Sequence, residues 1–194
     1  MSVTPTPEQL EQIARTESLI VPGRSCGTCS LCCKVTHIAE FDKPAGKWCV
    51  HCRPGNGCGI HPTRPVSCRG FYCEWMIAKG LGPEWKPERA KFLLSKTNGR
   101  DLIAQVDPGF PHAWRASPYY ENFKIWAAEA AKQTPLQKVL VLVGERLTVV
   151  LPDRDVEVGV VSADELVEMH RDQNGAISVT KAGRADMVAA AAAV

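Results

Sequence analysis

The stretch "CGTCSLCCKV", residues 26–35, places four cysteines within eight positions, and two of them, Cys32 and Cys33, are adjacent. Thiols at that density cross-link, bind metal or react, and the redox compartment decides which. The amino terminus, MSVTPTPEQLEQIARTES, has no basic stretch leading into an apolar one. The longest apolar run, KVLVLVGERLTVVL, is interrupted by Gly144, Glu145 and Arg146, which is too broken for a membrane span. These features predict a cytoplasmic protein without membrane association, whose thiols stay reduced.

All nine cysteines lie between Cys26 and Cys73, and none occurs in the 121 residues that follow. Residues 22–78 therefore read as one unit. Its many glycines and its prolines, Pro44, Pro54, Pro62 and Pro65, build turns and cannot sustain long helices or strands. A segment of this size with few aliphatic residues needs a staple, either disulfides or metal. Nine is odd and no export signal is present, so metal is the stronger reading.

Spacing points the same way. Cys26 and Cys29, taken with Cys49 and Cys52, fit a four-cysteine zinc pattern, and Cys29 and Cys32 with the same second pair fit it equally well. Cys26, Cys29 and Cys32 also form the C-x-x-C-x-x-C run that holds three corners of a 4Fe-4S cluster, with Cys58, Cys68 and Cys73 as distant candidates for the fourth. Neighbouring side chains diverge, so Cys32 and Cys33 are expected to serve different centres. Two metal sites or one polynuclear site follow, with eight cysteines as ligands and a ninth spare or bridging. The metal is Zn2+ or iron.

Eight thiolates around two divalent ions leave four negative charges. From Arg24 to Cys73 seven basic residues (Arg24, Lys34, Lys43, Lys47, Arg53, Arg64, Arg69) face two acids, Glu40 and Asp42. This local excess nearly offsets the thiolates, and the whole chain carries a net charge of only +2. That balance disfavours nucleic acid as the partner. A protein partner stays open. His37, His51 and His61 read as hydrogen-bonding neighbours of the thiols rather than ligands, with His51 the best placed. Arg64 should stand extended before Pro65 and donate to thiolates or loop backbone.

The order CGTCSLCC, WCVHC and GCGIHPTRPVSCRGFYC resembles the CxxCxxCC cysteine-cluster family (YkgJ-like), bacterial proteins described as zinc- or iron-chelating and sometimes as iron–sulfur proteins. The match covers residues 22–78. It implies metal chelation by Cys26, Cys29, Cys32, Cys33, Cys49, Cys58 and Cys68, with Cys52 or Cys73 completing the set. It implies no established reaction. A related motif occurs in a flagellin lysine methylase, but no methyl-donor site is recognisable after Cys73, and that activity is not carried over. Thiol catalysis is disfavoured on the residues themselves: no βαβ unit precedes Cys26, and no single thiol is set apart beside a base.

The flanks read as packing. Residues 1–21 form a helical lead, with a helix over 7–19 started by Thr6, Pro7 and Gln9 and burying Leu10, Ile13 and Ala14. Glu74 to Lys79 forms a turn or two of helix. Residues 84–181 form an α+β domain: a small antiparallel sheet packed with one or two helices. Its signals are a hairpin at Asn98–Gly99, another at Gly144–Glu145, a strand near 157–161, and a helix from Ser117–Pro118 lined by Tyr119, Tyr120, Phe123, Trp126, Ala127 and Ala130. A short helix is expected over 164–170, and residues 182–194 form a tail. No catalytic constellation stands out, so an accessory role in handling metal or electrons is the expectation, against an alternative of a zinc-stapled interaction module.

Overall fold

Thr6 opens the first helix by exchanging hydrogen bonds with Gln9: its hydroxyl accepts from the Gln9 N–H, and the Gln9 side chain accepts from the Thr6 N–H at 2.9 Å. The computed structural model describes residues 5–162 and 164–183. Helix α1 runs over Pro7–Glu17 and buries Ile13, whereas Leu10, expected on the same face, is 46% exposed. The chain divides into two compact units, one holding residues up to Ser95 together with Gln105–Trp114, the other Lys96–Ala104 and the residues from Arg115 onward.

Within the first unit the cysteine-rich segment forms only short elements, as its glycines and prolines dictate. These are the single turns of helix α2 (Cys32–Val35), α3 (Val66–Arg69) and α4 (Glu74–Ile77), and a two-stranded ribbon of β1 (Cys52–Arg53) and β2 (Gly57–Cys58). Helix α5 (Pro87–Ala90) follows. The ends of the segment are stitched together: the Arg24 guanidinium donates to the carbonyls of Trp75, Ala78 and Leu81, and the Val21 N–H donates to the Met76 carbonyl at 2.9 Å. Leu31 and Val35 pack on Leu93 with Phe71 beside them, and Ile38 and Met76 are buried as well.

The α+β class is as the pattern predicts. Strands β3 (Phe92–Thr97) and β4 (Asp101–Val106) flank Asn98 and Gly99, both at positive φ, as a tight hairpin turn requires. Helix α6 (Tyr119–Ala131) buries Phe123, Ala127 and Ala130, three of the expected stripe. Strands β5 (Val139–Val143) and β6 (Arg146–Val150) pair antiparallel around Gly144 and Glu145, and β7 (Asp155–Val160) pairs antiparallel with β6. The sheet order is β3-β4-β5-β6-β7. It is mixed rather than wholly antiparallel. Ile103, Leu140, Leu147, Val149 and Leu151 form the core of the second unit.

One element differs from expectation. The segment read as a helix over 164–170 is strand β8 (Glu165–Arg171), paired antiparallel with β9 (Ile177–Gly183). The turn between them explains it: the Asp172 carboxylate accepts from the N–H groups of Asn174 and Ala176, both at 2.8 Å, and Gly175 takes φ +85°. A pairing partner outweighs the helix propensity of Glu, Leu and Met. The end of the expected tail, from residue 184 onward, lies outside the described residues. No described helix is long and apolar enough to cross a membrane.

Candidate metal centre

Two local devices shape the first cysteine loop. The Cys29 N–H donates to the Cys26 carbonyl at 2.9 Å, closing a turn, and Cys32 then begins α2 while the Cys33 and Lys34 N–H groups donate back to Ser30 and Leu31. Distant segments are fastened to this loop through backbone. The Cys49 N–H donates to the Cys33 carbonyl at 2.9 Å, and the Cys52 N–H to the Cys49 carbonyl at 3.0 Å. Cys58 stands opposite Cys52 in the β1–β2 ribbon. The neighbouring Gly57 lies so close to the first loop that a Cβ there would meet the Gly27 carbonyl oxygen at 2.9 Å. Cys68 sits on α3, which Glu40 anchors by accepting from the Ser67 N–H at 3.0 Å and from its hydroxyl at 2.7 Å.

The result is a shared cavity of about 150 Å³. Cys26, Cys29, Cys32 and Cys33 line it from the first loop, and Cys49, Cys58 and Cys68 line it from the others. Cys52 is in side-chain contact with Cys33, and Cys73, like Cys29 and Cys32, packs against Leu31, Val35 and Leu93. All nine are free thiols. A volume of this kind corresponds to several water molecules at ~30 Å³ each and exceeds what one ion needs. His37, His51 and His61 also line it, His51 stacked on Phe41 with ring centroids 4.8 Å apart.

Side-chain hydrogen-bonding contacts link Ser30 with Cys52, Cys52 with Cys33, and Cys33 with Cys32. That last hydrogen bond, followed by burial, pushes the Cys33 thiol far up. Burial raises Cys26, Cys29 and Cys68, and pushes Cys52 and Cys73 up to about 11. Among the described residues no group of three or more His, Cys, Asp or Glu side chains is set, as it stands, to hold a metal ion. Ligation of a metal requires the thiolate form, and each Sγ can turn about a single side-chain bond.

Cationic side chains stand close to the cavity. Lys43, which no spacing pattern singles out as part of a site, is only 6% exposed and donates to the carbonyls of Lys34 and Thr36. Burial pulls its ammonium down, opposed by Cys49, Cys33, Cys32 and Cys68, whose thiolates would favour its charge. Arg64 stands extended before Pro65, as expected. Its guanidinium donates to the carbonyls of His61 at 2.9 Å and Cys68 at 3.1 Å, serving loop backbone. Lys34 reaches out of α2 to Asp107 at 2.5 Å and lies 5.3 Å from the Trp48 ring centroid. The donor set therefore fits a thiolate-bound metal: soft ligands in number, a cavity between them, and a buried cation beside four.

Compared with known proteins, the chain matches no family model, no curated protein and no solved structure.

Proposed function

We propose that this protein chelates zinc or iron through its cysteine cluster, iron in the form of a 4Fe-4S cluster or single ions, in an accessory role handling metal or electrons. The observation that carries the reading is the convergence of seven cysteines from four separate segments on one cavity, with Cys52 in contact with Cys33 and Cys73 packed on the same apolar cluster as Cys29 and Cys32. Chance burial of thiols does not bring Cys26, Cys49, Cys58 and Cys68 together from loops otherwise held by backbone hydrogen bonds. The resemblance of the cysteine order to the CxxCxxCC cluster family supports the same reading.

The chemistry follows from the donor set. With few aliphatic residues and only single-turn helices and a two-stranded ribbon, residues 22–78 would gain order from a staple. Metal–thiolate bonds supply it, because structural zinc contributes ~10–16 kcal/mol of apparent binding free energy that is also folding free energy. Bound iron–sulfur would add electron transfer, at a potential set by burial and by hydrogen bonds to sulfur. Lys43 would then offset thiolate charge, and the Arg64 guanidinium would brace the backbone that presents Cys68.

Elemental analysis of protein purified without oxygen tests the reading. Stoichiometric zinc in a colourless preparation supports a chelating or stapling role. Iron with acid-labile sulfide, and visible absorption that bleaches on reduction, supports a redox or sensing role. Trace metal alone, with the segment folded, contradicts both.

A further inference from the structure

After α4 the chain reads Lys79-Gly80-Leu81-Gly82-Pro83, a run that turns rather than prolonging the helix. Arg24, held in a turn by donating its N–H to the Val21 carbonyl at 3.0 Å, reaches across to this run. Arg24, Trp75 of α4 and the segment from Lys79 to Pro83 line a second cleft of about 380 Å³, which shares no lining residue with the cysteine cavity. All of these residues belong to the first unit. The volume falls in the range of small-molecule sites.

The walls of this cleft are cationic. The Arg24 guanidinium donates to the carbonyls of Trp75, Ala78 and Leu81, the last two at 2.9 and 2.5 Å. Those bonds cancel no charge, and the guanidinium fork carries further N–H donors beyond them. Lys79 is exposed. Among the described residues, the ion pairs of the first unit are Arg15 with Glu11, Lys34 with Asp107 and Lys86 with Glu88, so they engage neither Arg24 nor Lys79. The Glu84 carboxylate packs against Gly82, which leaves two cations facing one acid.

Trp75 supplies the third feature. The Arg24 guanidinium lies 5.3 Å and the Lys86 ammonium 5.5 Å from its ring centroid, and its indole N–H is buried and meets no acceptor. A buried donor without an acceptor is costly, and an oxygen brought to it recovers that cost.

We propose that this cleft binds a small ligand bearing an oxyanion, of the phosphate or carboxylate type. Arg24 and Lys79 pair with its charge, and the Trp75 indole N–H donates to one of its oxygens. The two cations select an anion, and the unmet N–H selects one with an acceptor oxygen to give. Engaging the covered N–H requires the segment from Gly80 to Gly82 to shift, which its two glycines permit. The cleft holds several times the ~30 Å³ of a water molecule, so the ligand extends beyond its anionic group.

Proton–nitrogen correlation NMR of the full chain as purified tests the site, with the Trp75 indole resonance assigned through its own ring and β-protons. Pyrophosphate and citrate are titrated at constant ionic strength, with chloride as control. At least one is expected to move the indole N–H resonance saturably, and Lys79→Met to weaken that binding ~10-fold, the scale of one charge-assisted contact. A response to pyrophosphate alone identifies a phosphate ligand, and a response to citrate alone a carboxylate. An indole resonance that neither anion moves, a shift that chloride reproduces, or equal affinity in Lys79→Met overturns the proposal.

Discussion

The ammonium of Lys34 and the carboxylate of Asp107 meet at 2.5 Å, with Asp107 only 6% exposed. The pair ties the helix that carries Cys32 and Cys33 to the loop after β4, where the Asp107 carboxylate also accepts from the Gly109 N–H at 2.8 Å. Asp107→Ala should therefore destabilise the first unit by about 1–3 kcal/mol, because a partly buried cation loses its charge-assisted partner. Urea unfolding followed by tryptophan fluorescence reads the change; an unchanged midpoint would mean that the pair is idle.

Lys43 offers a second, more local test. Removing its charge in Lys43→Met leaves two carbonyls without their donor and leaves thiolate charge without an offset. Metal affinity measured by competition with a chromophoric chelator should fall ~10–100-fold, the range for groups that support ligands without binding metal. An affinity equal to that of the parent protein would show that Lys43 serves the loop alone.

Gly57 combines φ +79° with its close approach to the Gly27 carbonyl. Gly57→Ala should cost about 1–2 kcal/mol from the left-handed backbone alone, with more from the contact. Since the ribbon it starts carries Cys58 against the first loop, cysteine alkylation should become faster at Cys58 than elsewhere. Uniform alkylation rates would contradict that link.

Stability should change in opposite directions with pH according to metal content. In the chelator-treated protein, folding raises Cys52 and Cys73 from an ordinary 9.0 to about 11, burial being the first cause. The folded state then holds more protons than the unfolded one, so stability present below pH 9 is lost as pH rises toward about 11. Metal-loaded protein has thiolates in the native state and should instead weaken on acidification, as protons compete for sulfur. Thermal melts across pH, with and without chelator, check both signs; parallel profiles would contradict the difference.

Much of this architecture can be read from the chain because its signals are local. Asn98–Gly99 and Gly144 demand hairpin turns, and the Phe123, Ala127 and Ala130 spacing demands a buried helix face. Strand β8 escapes such reading because its residues suit a helix in isolation, and its strand state depends on β9 and on the Asp172–Gly175 turn. Leu10 stays exposed because Ile13 alone meets the core. At the cluster, the cysteines are evident from spacing, but their company is not, since Cys26–Cys29 and Cys29–Cys32 offer identical spacing to the second pair. The structure adds the backbone link from Cys49 to Cys33 and the packing of Cys29, Cys32 and Cys73 on the Leu31, Val35 and Leu93 cluster, neither of which spacing encodes. Lys43 is a lone loop lysine in sequence and becomes part of the site through burial that no pattern encodes.

Replacing one cysteine of the first loop and one of a later segment, Cys26→Ser with Cys49→Ser, should release the metal and expose residues 22–78 to protease. The fragment from Lys96 onward should persist in the digest, because the second unit takes in Lys96–Ala104 and has Ile103 in its core. Equal protease resistance of the double variant and the parent would separate folding from metal.

Native mass spectrometry of protein purified without oxygen tests the central claim most directly. The account predicts a mass above that of the bare chain by two zinc ions or by iron with sulfide, lost on acidification together with the release of at least eight further alkylatable thiols. A bare-chain mass with the compact charge-state distribution of a folded protein would contradict it.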